Sequence, residues 1–149
     1  PLENLTRAQL TAVLYRMDGS PAVSGTCSFT DAKRGAYYAD ALVWAERNAL
    51  VNGYGSGAFG VGDAITREQL VTTLYRYAAY KGIDVSARAD LSGYRDAEKI
   101  SGYARDAFGW AVEAGLIRGS GDLLNPQGRT TRAEYAAIAA RFHKTFIAK

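Results

Sequence analysis

Arg7, Arg67 and Arg132 each follow a threonine that stands three residues ahead of Gln9, Gln69 or Glu134. That spacing is a capping box, in which the threonine accepts from the N3 amide and the N3 side chain reaches back to the cap. It sets each arginine at the first helical position, where the helix dipole disfavours a cation by about 0.3–1 kcal/mol. Three cations so placed make sense if an anion such as a carboxylate is shared between guanidinium and helix-end amides. The competing reading is an internal pair with Asp31, Asp96 or another acid. Five donors per guanidinium allow both at once.

Other residue types with chemical potential point away from catalysis. Trp44 and Trp110 occupy matched places and can either pack in a core or stack on the CH face of a sugar. His143 is the only histidine and has no partnered Ser or Cys nucleophile, so it reads as a surface group near a helix C-terminus. No His, Cys and carboxylate cluster has metal-ligand spacing, and neither a metal nor another cofactor is expected. Glycine-rich stretches lack the phosphate-loop pattern and no strand precedes them. Asp31 and Asp96 belong to different copies of a repeat, which argues for a binding or structural role in each over one joint catalytic pair. The chain is read as non-enzymatic, with no catalytic residues.

The elements that must hold these groups emerge from internal similarity. Thr66-Arg67-Glu68-Gln69-Leu70 recurs as Thr131-Arg132-Ala133-Glu134-Tyr135, 65 positions on, and Thr6-Arg7-Ala8-Gln9-Leu10 lies 60 positions before it. Phe29-Thr30-Asp31-Ala32 matches Tyr94-Arg95-Asp96-Ala97 at the same shift of 65. Trp44-Ala45 meets Trp110-Ala111, and Leu50-Val51-Asn52-Gly53 meets Leu116-Ile117-Arg118-Gly119, both shifted by 66. The one-residue changes fall between Asp31 and Tyr37 and after Gly55, where loops tolerate them.

Each full copy therefore reads as helix, glycine-rich loop, helix. First helices are predicted over Tyr37–Leu50 and Tyr103–Leu116, stopped by the loops from Gly53 and Gly119. Second helices start at the capping boxes, with Leu5 and Leu10, and Ile65 and Leu70, as hydrophobic staples. Thr130 replaces the staple residue in the last copy, which predicts a looser entry. Apolar stripes at helical spacing follow: Leu10, Val13, Leu14 and Met17; Leu70, Leu74 and Tyr77; Tyr135, Ile138 and Phe142. Three related stripes can bury one another, so the expected fold is all-α, with tandem helix–loop–helix repeats forming a pseudo-threefold helical bundle. The copies divide as 1–20 (the C-terminal half of a first repeat), 26–83 and 91–149, with Gly19–Gly25 and Asp84–Gly93 as linkers.

Composition agrees with a folded globular module. The net charge of +3 comes from 18 Lys and Arg scattered among 15 Asp and Glu, which suits an anionic partner without the basic stripe expected of a nucleic-acid binder. Ten Tyr and two Trp offer aromatic surface, and the single Cys27 cannot close an internal disulfide. No apolar run reaches membrane-spanning length, so membrane insertion is not expected. Pro1 in place of Met suggests a piece of a longer chain, and the missing export signal carries no weight.

The order aromatic-x-Asp, Trp-Ala, an apolar pair before glycine, then Thr-Arg-Ala-Glu resembles the S-layer homology (SLH) motif. The last copy carries it as Tyr94-Arg95-Asp96, Trp110-Ala111, Gly115-Leu116-Ile117-Arg118-Gly119, Leu124-Asn125-Pro126 and Thr131-Arg132-Ala133-Glu134. The middle copy has Phe29-Thr30-Asp31, Trp44-Ala45, Leu50-Val51-Asn52-Gly53, Gly57-Ala58-Phe59 and Ile65-Thr66-Arg67-Glu68. The resemblance implies a secreted bacterial protein of the cell wall or S-layer, pinned non-covalently by secondary cell-wall polysaccharide that often carries pyruvate ketals. Carried over by position, Arg7, Arg67 and Arg132 would meet ligand carboxylates, and Trp44 and Trp110 would line grooves. Gly53 and Gly119 would offer backbone groups to sugar hydroxyls, while Asp31 and Asp96 would orient neighbours or accept hydroxyls.

Departures from the motif are Gln9 and Gln69 in place of its acid and Glu68 in place of its alanine. The first copy lacks its N-terminal half, expected to precede Pro1, so the helix from Thr6 to Met17 is expected to lack cover and to promote self-association. The alternative function is a helical-repeat protein–protein interaction module without carbohydrate binding.

Overall fold

The computed structural model describes residues 3–147 and is helical, with only isolated β-bridges besides. The helices are α1 (Arg7–Met17), α2 (Ala39–Arg47), α3 (Arg67–Tyr80), α4 (Arg105–Glu113) and α5 (Arg132–Phe142). Short 3-10 turns at Ala97–Lys99 and Gly102–Ala104 lead into α4, and a π-helical turn, His143–Ile147, follows α5. Among the described residues no helix is long and apolar enough to cross a membrane. The all-α expectation holds.

The chain forms two compact units. One is Leu5–Ala64, containing α1 and α2; the other runs from Ile65 onward and includes Glu3 and Asn4. Each unit pairs the second helix of one copy with the first helix and glycine loop of the next. In the first unit α1 packs on α2; in the second α3 packs on α4.

The capping boxes form as the spacing predicts. Thr6 Oγ1 accepts from the Gln9 amide at 3.1 Å, and Gln9 Oε1 accepts from the Thr6 amide at 2.9 Å. Thr66 and Gln69 repeat this at 3.2 and 3.0 Å. At α5 only the threonine half is made: Thr131 Oγ1 accepts from the Glu134 amide at 3.0 Å, while the Glu134 carboxylate accepts from the Thr131 hydroxyl at 3.2 Å and pairs with Arg67. The staples Leu5 with Leu10 and Ile65 with Leu70 are buried. Thr130, which replaces them, is fully buried, and its hydroxyl has no hydrogen-bond partner among the described residues.

Leu14, Leu74 and Ile138 are buried as the helical stripes require. On α1, Leu10 and Leu14 are covered, and Met17 at the helix end is 40 % exposed. The first helices are shorter than predicted, beginning at Ala39 and Arg105 and ending at Arg47 and Glu113. They stop before the glycine loops. Ala49 (φ 56°) and Gly115 (φ 76°), the matched residues just past the caps, take the left-handed conformation that ends each helix. Gly53 and Gly119 serve close approach instead: a Cβ on Gly53 would lie 2.7 Å from Ala58 O, and one on Gly119 2.8 Å from the Tyr94 ring.

Two stability changes follow. Thr130→Val keeps the side-chain shape and removes a buried hydroxyl without a partner, so it should stabilise by about 1–3 kcal/mol. Leu74→Ala should destabilise by about 2–5 kcal/mol through the cavity it leaves. Urea unfolding of both variants checks the pair, and a loss of stability in Thr130→Val would contradict the assignment.

Candidate ligand-binding grooves

Each glycine loop is held from both sides by one aspartate and one arginine. Asp31 accepts from the amides of Phe59 and Gly60, both at 2.8 Å, and of Val61 at 3.1 Å. Asp96 accepts from Leu124 at 2.9 Å and Asn125 at 2.7 Å. From the other side Arg7 Nε donates to Phe59 O at 2.9 Å, and Arg67 Nε donates to Leu124 O at 2.9 Å. The residue one place before each aspartate adds a backbone bond, Thr30 N to Gly57 O and Arg95 N to Asp122 O. Gly60 and Asn125, at matched positions, have positive φ, which lets successive amides converge on one carboxylate.

Burial works against ionisation of Asp31, but the amides of Phe59, Val61 and Gly60 outweigh it and hold the carboxyl below its usual range. Asp96 is likewise lowered: burial opposes, while the Leu124 and Asn125 amides, its own amide and the Lys99 charge favour the anion. Tyr135, at the entry of α5, is pushed up to about 12 by burial and then by Tyr77.

The three arginines differ in setting. Arg7 is 8 % exposed, its guanidinium 4.8 Å from the Tyr54 ring centre and 4.4 Å from that of Phe59, with Nη2 donating to Asn52 O. Arg67 makes an ion pair with Glu134 at 3.1 Å, and its side chain is 15 % exposed. Arg132 pairs with Glu3 at 3.0 Å and is 49 % exposed. Internal acids meet Arg67 and Arg132, and they are Glu134 and Glu3 rather than the aspartates. The helix-end amides are also occupied. Arg67 N donates to Gly128 O, Glu68 N to Pro126 O and Gln69 N to Thr66 Oγ1, so an anion at α3 would meet the guanidinium alone.

Trp44 and Trp110 are both buried. Trp44 donates to Asp18 at 3.2 Å and packs on Tyr15 at 5.5 Å; Trp110 packs on Tyr75 at 5.8 Å and Phe146 at 5.9 Å. The matched Tyr–Trp pairs fasten each second helix to the following first helix. Gly53 borders a surface cavity of about 390 Å³ with Ser28, Asn52, Gly55 and Gly57. Gly119 lies against the Tyr94 ring.

A smaller cavity of about 180 Å³ surrounds Arg67. Arg118, Arg141 and Glu134 join it on the polar side, and Leu116, Ile117, Ala137 and Ile138 form its apolar wall. Arg141 also donates to Leu116 O at 3.0 Å. Sequence reasoning selected Arg67 but passed over Arg118 and Arg141. Both stand in the repeat, Arg141 matching Arg16 and Arg76, but only tertiary packing gathers them around one void.

The chain is thus a helix–loop–helix repeat module in which the arginines at the entries of α1 and α3 each clamp a glycine loop. The S-layer homology domain family matches residues 28–71 and 93–136, and the chain belongs to that family. It is 31 % identical over 143 residues to an amylopullulanase of Thermoanaerobacterium thermosulfurigenes, covering 93 % of this chain and 7 % of that protein. An endoglucanase of Bacillus sp. (strain KSM-635) is 32 % identical over 139 residues, covering 93 % of this chain and 15 % of the relative. A surface-layer 125 kDa protein of Lysinibacillus sphaericus is 26 % identical over 145 residues, covering 95 % and 12 %. The chain thus spans a small part of each of these relatives.

The loop clamp makes a pH prediction. Because both aspartates have lowered folded-state pKa values, their contribution is fully present above the unfolded value of about 4 and is lost as pH falls through the lowered folded values. Asp96→Ala should cost about 3 kcal/mol at neutral pH by stranding the amides of Leu124 and Asn125. The variant should also lose part of the wild type's acid sensitivity below pH 4. Denaturant titrations at pH 7 and pH 3 check this, and an unchanged stability gap at the two values would contradict it.

Proposed function

We propose that this module anchors an exported protein non-covalently to the bacterial cell wall, without catalysis, by binding secondary cell-wall polysaccharide. An acidic substituent of that polymer, such as a pyruvate ketal, would occupy the cavity around Arg67. The observation that carries the reading is the grouping of three guanidinium groups, Arg67, Arg118 and Arg141, against one carboxylate, Glu134, around a small void. Its volume suits a compact acid group, with the polymer running outside. The apolar wall suits the methyl and ring carbons of a ketal.

Membership in the S-layer homology family, with a surface-layer protein among the relatives, supports the wall location. The relatives named as enzymes match this chain over 7 % and 15 % of their own lengths. In this reading the functional repeats are 1–20, 26–83 and 91–149. Arg132 is a second, more open acid contact, and the enclosed Arg7 contributes least. Asp31, Asp96, Trp44 and Trp110 shape the grooves, while the cavity beside Gly53 takes sugar hydroxyls and Gly119 plays the matching part in the last copy. Self-association would run through the end of α1 at Met17.

The test is titration with wall polysaccharide purified from Lysinibacillus sphaericus, before and after mild acid treatment that hydrolyses ketals. Arg67→Ala should weaken binding by about 2–5 kcal/mol and Arg67→Lys by less. Arg118→Ala, which leaves the loop clamp intact, should weaken binding without lowering stability. Affinity should fall as salt rises and after acid treatment. Unchanged affinity in folded Arg67→Ala and Arg118→Ala variants would sink the acid-group role.

A further inference from the structure

Glu68 stands where Ala8 and Ala133 stand in the other copies, and it is 6 % exposed. A lone buried carboxylate is costly unless donors surround it, and here four converge. Ser101 donates its amide to Oε1 at 3.0 Å and its hydroxyl to Oε2 at 2.6 Å. The Tyr103 hydroxyl donates to Oε2 at 3.1 Å, and Gln127 Nε2 to Oε1 at 3.2 Å. Gln127 also donates to Lys99 O at 2.6 Å. One side chain at the entry of α3 thus ties down the turn that leads into α4 and the loop that Arg67 grips.

The cluster has an unusual product at its edge. Tyr103 remains 55 % exposed although its hydroxyl is held. A large aromatic ring left in solvent by chance would be free to swing, whereas this one is oriented by a buried anion. Its counterpart Tyr37 is 66 % exposed and packs edge-on to Tyr38 at 5.2 Å. At the position matching Glu68, the unit that contains Tyr37 has Ala8.

We infer that Tyr103 is a stacking platform for a pyranose ring of the bound polymer, and that Glu68 is the positioning residue that holds it. A pyranose presents a face of C–H groups whose partial positive charge complements the negative face of an aromatic ring. Fixing the ring beforehand lowers the ordering cost on binding. Glu68 directly follows Arg67, so one helix entry supplies both the acid contact and the anchor of the platform. This inference rests on the polysaccharide-binding reading above, and it assigns a sugar-face contact to a residue outside the arginine cavity.

The experiment measures affinity of the full chain for the same Lysinibacillus sphaericus polysaccharide by calorimetry, with circular dichroism and melting temperature alongside. Tyr103→Ala should weaken binding about two- to tenfold. Tyr103→Phe, which keeps the face and loses the anchor, should weaken it less. Glu68→Ala should also weaken it, and alanine fits at that place because two copies already carry it. The two effects should be coupled, so Glu68→Ala with Tyr103→Ala should lose no more than Tyr103→Ala alone. Tyr37→Ala, lacking a matching anchor, should cost less than Tyr103→Ala. Full affinity in a folded Tyr103→Ala variant, with Arg67→Ala impaired, overturns the platform and leaves the anchoring reading intact. Additive losses from Glu68 and Tyr103 overturn the positioning role. Absence of binding by the wild type overturns both readings.

Discussion

Each unit turns on satisfying a loop that satisfies itself only in part. The glycine stretches make a few backbone bonds of their own, such as Tyr54 N to Ala58 O and Ser120 N to Leu123 O, and their other amides and carbonyls need partners from elsewhere. One residue in each loop, Phe59 or Leu124, is gripped at both ends: its amide by an aspartate upstream and its carbonyl by the arginine of a helix entry. Opposite charges thus sit on opposite sides of a single peptide segment. That arrangement suits arginine and aspartate particularly. A carboxylate accepts two or three converging amides, and a guanidinium donates to a carbonyl with one edge while presenting others outward.

The clamp also explains why a cation stands at an electropositive helix end. In α3 the first three amides already have acceptors, which removes much of the exposed partial charge that would oppose Arg67. The guanidinium is then free to serve the loop and the cavity together. In the first unit the same residue type is enclosed by Tyr54 and Phe59, so the aromatic faces take the place that Glu134 and open space hold around Arg67. Equivalent sequence positions have become unequal environments through the side chains beside them.

Much of this was legible in the residues. The Thr-x-x-Gln spacing specifies helix entries because capping is local chemistry, and α1, α3 and α5 begin where it puts them. The burial of Leu14, Leu74 and Ile138 follows from helical period alone. Less legible were the ends of α2 and α4, since Ala49 adopts a left-handed conformation that its residue type does not advertise. Glu134 was read as a cap, but its carboxylate is shared between the Thr131 hydroxyl and Arg67, a tertiary competitor invisible at short range. Arg118, Arg141 and Glu68 gain their significance only from what folding brings beside them. Glu68 did leave a trace, as a charged residue where its sister copies have alanine.

The exchange of halves between neighbouring copies has an evolutionary corollary. A loop clamp is built from the helix entry of one copy and the aspartate and glycine loop of the next, so it belongs to a junction and not to a repeat. Duplicating or swapping a whole repeat would therefore remake two clamps at once while leaving no clamp wholly inherited. Recombination within the glycine loops would split the clamp itself. The inheritable unit that preserves a clamp runs from one helix entry to just before the next, out of phase with the repeat that the eye finds in the sequence. Substitutions at Arg67 and at Leu124 or Asp96 are then constrained jointly although they lie in different copies, and drift in one copy is felt as selection on its neighbour.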